Sequence, residues 1–144
     1  DEDTPQGLWD ECYLAIASAN HALQAIEDMG NPTSLAPQRG EALMCRAYAH
    51  FILANTFCEA YNYETAGKKP GIPYATAHEK EVAPHYTRGT LEETYSKIAA
   101  DIEEGLPLIN DNLYSVPKYH FNKKAANAFA ARFIYKLTNP IMKR

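Results

Sequence analysis

The run Gly40-Glu41-Ala42-Leu43-Met44-Cys45-Arg46-Ala47-Tyr48-Ala49-His50-Phe51-Ile52-Leu53-Ala54-Asn55-Thr56-Phe57-Cys58 sets Leu43, Ala47, Phe51, Ala54 and Phe57 on one face at helical spacing. It predicts a helix from about Gln38 to Ala60, with Cys58 beside the apolar face. His50 falls next to Phe51 on that face, so a hydrogen-bonded core histidine is expected there rather than a ligand. Upstream, the stripe Trp9, Tyr13, Ile16, Asn20, Leu23 and Ile26 predicts a first helix from Gln6 to Asp28, stopped by Gly30-Asn31-Pro32. Downstream, Thr90-Leu91-Glu92-Glu93 reads as a capping box, with Thr90 at the N-cap and Glu93 reaching back. Leu91, Tyr95, Ile98, Ile102, Leu106 and Ile109 continue that third helix to Asn110-Asp111-Asn112. A fourth begins at an Asn122 N-cap, buries Ala126, Phe129, Ala130, Phe133 and Leu137, and closes at Pro140.

The predicted fold class is therefore all-α: two tetratricopeptide-like helical hairpins, with small Ala residues at the crossings, joined by long Tyr/Pro/Gly-rich loops. The 34-residue period of true tetratricopeptide repeats is missing. The connection from 61 to 88 carries Gly67, Pro70, Gly71, Pro73 and Pro84 and has no sustained period. Loops longer than about 12–15 residues in compact domains are usually functional or disordered, and this composition is not low in complexity, so an ordered excursion is expected. Two helix pairs are fewer than a stacked array needs, so residues 1–144 are expected to form a single helical region of a longer chain.

At 144 residues the chain is long enough for one domain with its own core. A net charge of −4 and 14 scattered Lys and Arg exclude the basic stripe of a nucleic-acid domain, and Lys68-Lys69 is too short to make one. No apolar run is long enough to span a membrane. The chain opens on Asp1-Glu2-Asp3 without Met, so its start reads as processed or cut, and any export signal or lipidated cysteine would lie upstream. Three cysteines are too few for a disulfide scaffold. Cys45 and Cys58 sit 13 residues apart on one predicted helix, roughly 20 Å at ~1.5 Å per residue, far beyond disulfide reach. Cys12 and Cys58 come near each other only if their helices pack antiparallel; small buried hydrophobes are the simpler reading.

No phosphate-binding loop, dinucleotide fingerprint or nucleophile elbow is present, and no cofactor is expected. His78-Glu79-Lys80-Glu81 lacks the second histidine of a zinc-protease helix. The two imidazoles and two carboxylates between His78 and His85 have metal-ligand chemistry, against which stands the plainer reading of a solvated loop. Acidic pairs such as Asp101 with Glu104 are expected on the wet sides of helices. The tyrosines carry more. Six of ten fall outside the predicted helices: Tyr61, Tyr63, Tyr74, Tyr86, Tyr114 and Tyr119. A tyrosine offers an apolar ring face and a polar tip, which suits the C–H face and hydroxyl rim of a sugar. Tyr61, Tyr63, Tyr74 and Tyr86 are the candidate ligand-stacking residues, with Asn62, Glu64, Asn112 and His120 as polar neighbours. The alternative is that these rings pin the loops to the helices, and Gly71-Ile72-Pro73-Tyr74 reads as such a packed turn. Asn31-Pro32-Thr33 is disqualified as a glycosylation site by its proline.

Taken in order, Trp9…Cys12-Tyr13…Asn20, Gly40-Glu41-Ala42, Arg46-Ala47-Tyr48…Phe51, Gly71-Ile72-Pro73-Tyr74, Arg88-Gly89-Thr90 and Asn122-Lys123-Lys124-Ala125-Ala126 resemble the N-terminal helical region of the SusD/RagB family of surface nutrient-binding lipoproteins. The resemblance implies a non-enzymatic glycan- or nutrient-binding protein, lipid-anchored on the extracellular face of the outer membrane. It implies a partner, a SusC-type TonB-dependent transporter over which the protein closes like a lid. It also implies that much of the ligand surface comes from loops and from later parts of a longer chain. This region would then be the scaffold, contacting the transporter through the face of Tyr48, Ile52 and Asn55.

Overall fold

The computed structural model describes residues 4–77 and 87–139. Each helix begins where the sequence supplies a cap. Helix α1, Pro5–Asp28, starts with proline in its first turn behind Thr4, whose hydroxyl accepts from the Gly7 N–H at 3.0 Å. Helix α2 is Ala36–Phe57, with Pro37 in its first turn. Helix α3, Leu91–Gly105, opens on the expected capping box: Glu93 N–H donates to the Thr90 hydroxyl at 3.1 Å, and Thr90 N–H donates to the Glu93 carboxylate at 2.8 Å. Helix α4, Lys123–Thr138, starts behind Asn122, which accepts from the Ala125 N–H at 2.9 Å. The described residues are all-α, with short 3₁₀ turns and one isolated β-bridge between the elements.

Two helix ends fall short of the sequence reading. Cys58 is already extended, so α2 stops at Phe57 rather than Ala60. Pro107 has no N–H to give to the preceding turn, so α-helical bonding in α3 ends at Gly105 and a 3₁₀ turn, Leu106–Leu108, follows. Ile109 is nonetheless buried, as its place in the apolar stripe requires.

Helix α2 is the centre of the molecule. Met44, Ala47, Phe51, Leu53 and Ala54 are all fully buried. Close packing holds α1 on one side of α2 and α3 on the other. The α2–α3 crossing depends on glycine. A Cβ on Gly40 would lie 2.8 Å from the Gly105 carbonyl oxygen, and one on Gly105 would lie 2.9 Å from Leu43 Cβ. Helix α4 attaches through larger side chains: Phe129 and Phe133 reach the Phe51 ring at centroid distances of 5.4 and 6.0 Å. A second cluster gathers Ile16, Leu53 and Ile72 under Trp9, Tyr13 and Phe57. The long connection returns to α3 through a bridge between Pro70 and Thr90. Gly71 passes so close to the Thr94 hydroxyl and the Thr90 carbonyl that a side chain there has no room.

A buried polar cluster joins α1, α2, α3 and this returning segment. Arg46 forms a fork onto Asp101, with Nε–Oδ2 at 2.8 Å and Nη2–Oδ1 at 2.7 Å. Its remaining nitrogen donates to Asn20 Oδ1 at 2.9 Å, and Asn20 in turn donates to the Ala75 carbonyl. Tyr74 gives its hydroxyl hydrogen to Asp101 at 2.7 Å and stacks its ring on His50 at 3.6 Å. His50 accepts from the Ala75 N–H at 3.2 Å through Nε2, so Nδ1 carries the proton and donates to the Arg46 carbonyl at 2.8 Å. The core histidine expected from sequence is thus in place. Asp101 corrects the reading of a solvent-facing acid: it is 6% exposed, because Arg46 brings an unmatched cation into the α2–α3 interface.

Burial holds the His50 imidazole neutral, pushing its pKa down to about 3. The unfolded chain therefore binds a proton between about pH 6.5 and 3 that the folded chain refuses, and stability falls as pH drops through that window. Between pH 7 and 5 this contributes a loss of about 2 kcal/mol. Urea unfolding at both pH values is expected to show that drop in the wild type and a smaller one in His50→Gln; equal drops would refute it. For the ion pair, Arg46→Met or Asp101→Leu alone is expected to cost about 3–5 kcal/mol by stranding a charge. The double variant should cost less than the sum, and strict additivity in a double-mutant cycle would show the pair to be uncoupled.

Candidate functional site

The structure separates the candidate tyrosines. Tyr74 belongs to the buried cluster just described, and its hydroxyl is held well above its ordinary pKa by burial and by the Asp101 carboxylate. Tyr63 is 68% exposed, its hydroxyl donating to Glu64 at 3.2 Å. Tyr86 lies outside the described residues, as does the His78 to His85 stretch. Among the described residues no three His, Cys, Asp or Glu side chains are grouped to hold a metal, and Cys12, Cys45 and Cys58 are free thiols.

Tyr61 occupies the most informative position. Where α2 ends, the chain turns outward through Cys58-Glu59-Ala60-Tyr61 and lays the Tyr61 ring on Tyr95 of α3, with centroids 4.4 Å apart and planes inclined by 32°. Tyr95 in turn stacks on Phe133 of α4 at 5.6 Å. These rings back a cleft of about 210 Å³ between the C-terminal ends of α2 and α4, lined by Asn55, Cys58, Glu59, Tyr61, Tyr95, Lys136 and Asn139. Tyr95 is 3% exposed as a residue, and its hydroxyl opens onto the cleft without a side-chain or backbone partner among the described residues, whereas the hydroxyl buried without a partner is that of Tyr114. Burial pushes its pKa up to about 12, reinforced by Cys58 and Tyr61. Asn55 and Asn139 donate their amide N–H groups back to the Phe51 and Tyr135 carbonyls at 2.8 and 3.1 Å, leaving the amide oxygens free to accept. Glu59 is paired with Lys69 at 2.9 Å. An aromatic wall, amide oxygens and a few charges at a concave surface form the lining expected of a small polar-ligand site.

The sequence placed Tyr61 in a candidate site but missed Tyr95, Lys136 and Asn139. Tyr95 was legible only as a member of an apolar stripe. The available signal was chemical: tyrosine stands where phenylalanine would pack as well. The other polar neighbours named from sequence do not gather around Tyr61. Asn62 caps its own turn by accepting from the Glu64 N–H. His120 stacks on Tyr114 at 4.2 Å and pairs with Glu41, which also accepts from the Phe121 N–H, pinning the loop before α4 onto α2. The face of Tyr48 is partly occupied, because Phe121 and Phe129 pack edge-on against its ring.

Two further clefts are polar. One, of about 250 Å³, lies over Arg46 between α1 and α2 and holds Arg39 paired with Glu104. The other, of about 380 Å³, is lined by Tyr74, Arg88, Glu93 and Lys97. No helix among the described residues is long and apolar enough to cross a membrane.

A family model described as SusD-like, starch-binding and associating with the outer membrane matches residues 1–135. Among solved structures, a SusD superfamily protein of Bacteroides thetaiotaomicron VPI-5482 superposes with a TM-score of 0.74 at 22% identity, covering 90% of this chain and 28% of that one. A protein of Bacteroides vulgatus ATCC 8482 described as sugar binding superposes with a TM-score of 0.76 at 21% identity, covering 94% of this chain and 30% of that one. Likeness at such identity establishes the shared fold, and this chain spans less than a third of either protein. No curated protein matches it in sequence.

The unpartnered Tyr95 hydroxyl has a direct consequence. A hydroxyl that reaches water and has no internal partner contributes little to stability, whereas one in an internal hydrogen bond contributes about 1 kcal/mol. Tyr95→Phe is therefore expected to leave the thermal midpoint unchanged or to raise it; a loss of about 1 kcal/mol or more would reveal an internal partner.

Proposed function

We propose a function from a plain premise: the chain belongs to the SusD-like family of starch-binding proteins associated with the outer membrane. That family binds carbohydrate and is non-enzymatic. On this reading the chain is the helical part of a cell-surface protein that captures oligosaccharides and passes them to a SusC-type TonB-dependent transporter. A lipid anchor upstream would hold it at the extracellular face.

The observation that carries the reading beyond family membership is the Tyr61 cleft. Its outer ring face is available to stack on the C–H face of a sugar, with amide oxygens and an ammonium group placed around it. Tyr63, exposed two residues on, and Tyr86 are further candidate contacts from the same connection. Tyr74 acts at one remove: it fixes the returning segment to α3 rather than offering a ring to a ligand.

A second reading is favoured by a separate observation. Ile134 and Tyr135, on the outer side of α4, are 56% and 65% exposed, a surface suited to protein contact. In this reading the chain is a scaffold that meets the transporter and leaves ligand binding to other parts of a longer protein.

Calorimetric titration with starch-derived and other oligosaccharides separates the two. The carbohydrate reading expects binding, weakened about tenfold in Tyr61→Ala while the fold is retained. Binding that Tyr61→Ala leaves unchanged would remove this cleft from the site. Capture of the transporter with no affinity for any sugar would make the chain the scaffold.

A further inference from the structure

We propose that the loop before α4, with the first turn of that helix, docks on the anionic lipid headgroups of a membrane surface. Leu113, Val116 and Tyr119 supply the apolar contact, and Lys118, Lys123 and Lys124 the charge. The inference rests on the outer-membrane association of the family and is independent of the carbohydrate reading.

Charge is divided sharply along the sequence. All 18 Asp and Glu stand at or before Asp111, together with half of the 14 Lys and Arg; the other half follow, with no acid among them. Such asymmetry points to an anionic partner. In the structure it becomes local. Lys118, Lys123 and Lys124 are exposed and form no ion pair among the described residues. The carboxylates joined to this loop, Asp111 and Glu41, are half-buried and turned to the chain. Asp111 accepts from the Lys123 N–H at 2.7 Å, and Glu41 accepts from the Phe121 N–H at 2.9 Å and pairs with His120. They offset part of the charge and leave the three ammonium groups facing outward. Lys123 and Lys124 also stand in the first turn of α4, where the helix dipole disfavours cations. Helix α3 places Glu92 and Glu93 at the same point. Helix stability gives no reason for two lysines there; attraction to an anion does.

The apolar half of the patch is carried by two 3₁₀ turns, Asp111–Leu113 and Pro117–Tyr119. The Tyr119 N–H donates to the Val116 carbonyl at 3.1 Å, and side chains three positions apart on such a turn share a side. Leu113, Val116 and Tyr119 are 54%, 39% and 79% exposed. Lys118 Nζ lies 5.2 Å from the centre of the Tyr119 ring, so ring and charge are presented together. Residues 115–120 are all exposed, so the patch projects and can sink into a soft surface. Tyrosine and aliphatic groups with lysines beside them match a headgroup interface: the apolar groups enter the acyl boundary and the ammonium groups reach the phosphates. The loop is already held in shape, since the Asn122 amide donates to the Pro117 carbonyl at 3.1 Å and His120 stacks on Tyr114. Docking it therefore costs little ordering.

Co-sedimentation of the whole chain with lipid vesicles is the test. Phosphatidylcholine vesicles containing phosphatidylglycerol are expected to bind it about tenfold more strongly than phosphatidylcholine alone, with the advantage shrinking as salt rises. Lys118→Gln with Lys124→Gln should weaken binding to the acidic vesicles about tenfold, and Leu113→Ser with Tyr119→Ser by a similar factor. Lys68→Gln with Lys97→Gln, which changes the net charge equally elsewhere, should leave it unchanged. No binding to acidic vesicles, or equal losses in the two lysine pairs, would overturn the inference. So would binding to soluble polyglutamate that matches the vesicles and survives Leu113→Ser with Tyr119→Ser, which would assign the patch to an acidic protein instead. None of these results bears on the titration with sugars, so the carbohydrate reading stands or falls separately.

Discussion

The arrangement of the described chain depends on one guanidinium group. Arg46 stands on the central helix with α1 on one side and α3 on the other, and every nitrogen of its fork is assigned: two to Asp101, one to Asn20. Placing a cation in a helix interface is costly unless each donor is met. The partners therefore have to arrive together, from three different parts of the chain. Asn20 sets the depth of α1, Asp101 sets the rotation of α3, and Tyr74 with Ala75 sets the path of the returning connection. Apolar packing alone would tolerate small slides among these elements; the fork does not.

A buried ion pair is weak grounds for stability, since a well-packed apolar replacement of the same volume is often as stable or more so. Its value here is geometric. The long connection has no helix or sheet of its own to define it, yet its residues 71–76 are fixed by Tyr74 on Asp101, Ala75 on His50 and Asn20, and Gly71 against Thr94. His50 takes part only as a neutral ring, because each of its nitrogens already faces a backbone group. The cluster thus turns an irregular segment into a rigid wall of the core without regular secondary structure.

Much of this was legible in the sequence where the cause is local. The Thr90 capping box, the Asn122 cap and the stripes of all four helices follow from residues within a few positions of one another. So does the packed turn at Gly71-Ile72-Pro73-Tyr74, given its glycine and proline. What was not legible is decided by partners far along the chain. Asp101 borders the stripe of α3, one position before Ile102, and nothing nearby distinguishes it from the truly exposed Glu104. The distinction comes from Arg46, 55 residues earlier. The α2–α3 crossing hides in the same way, since Gly40 and Gly105 become meaningful only once their backbones touch. Tyr61 and Tyr95 are likewise 34 residues apart, so their stacking, and the cleft it backs, has no signature in either local pattern.

The tyrosines show where the packing of the fold ends and its surface chemistry begins. Tyr13 and Tyr74 both bury their rings, and both give away the hydroxyl hydrogen: Tyr13 to the Pro73 carbonyl at 2.6 Å, Tyr74 to Asp101 at 2.7 Å. In each case the hydroxyl ties one element to another, and a phenylalanine would lose that tie. Tyr95 buries its ring as thoroughly, between Tyr61 and Phe133, but its hydroxyl ties nothing. Phenylalanine at that position would fill the same space. Packing accounts for the ring and leaves the oxygen unexplained. The oxygen instead opens onto the cleft it shares with Lys136, so it belongs to the surface chemistry of the chain rather than to its packing.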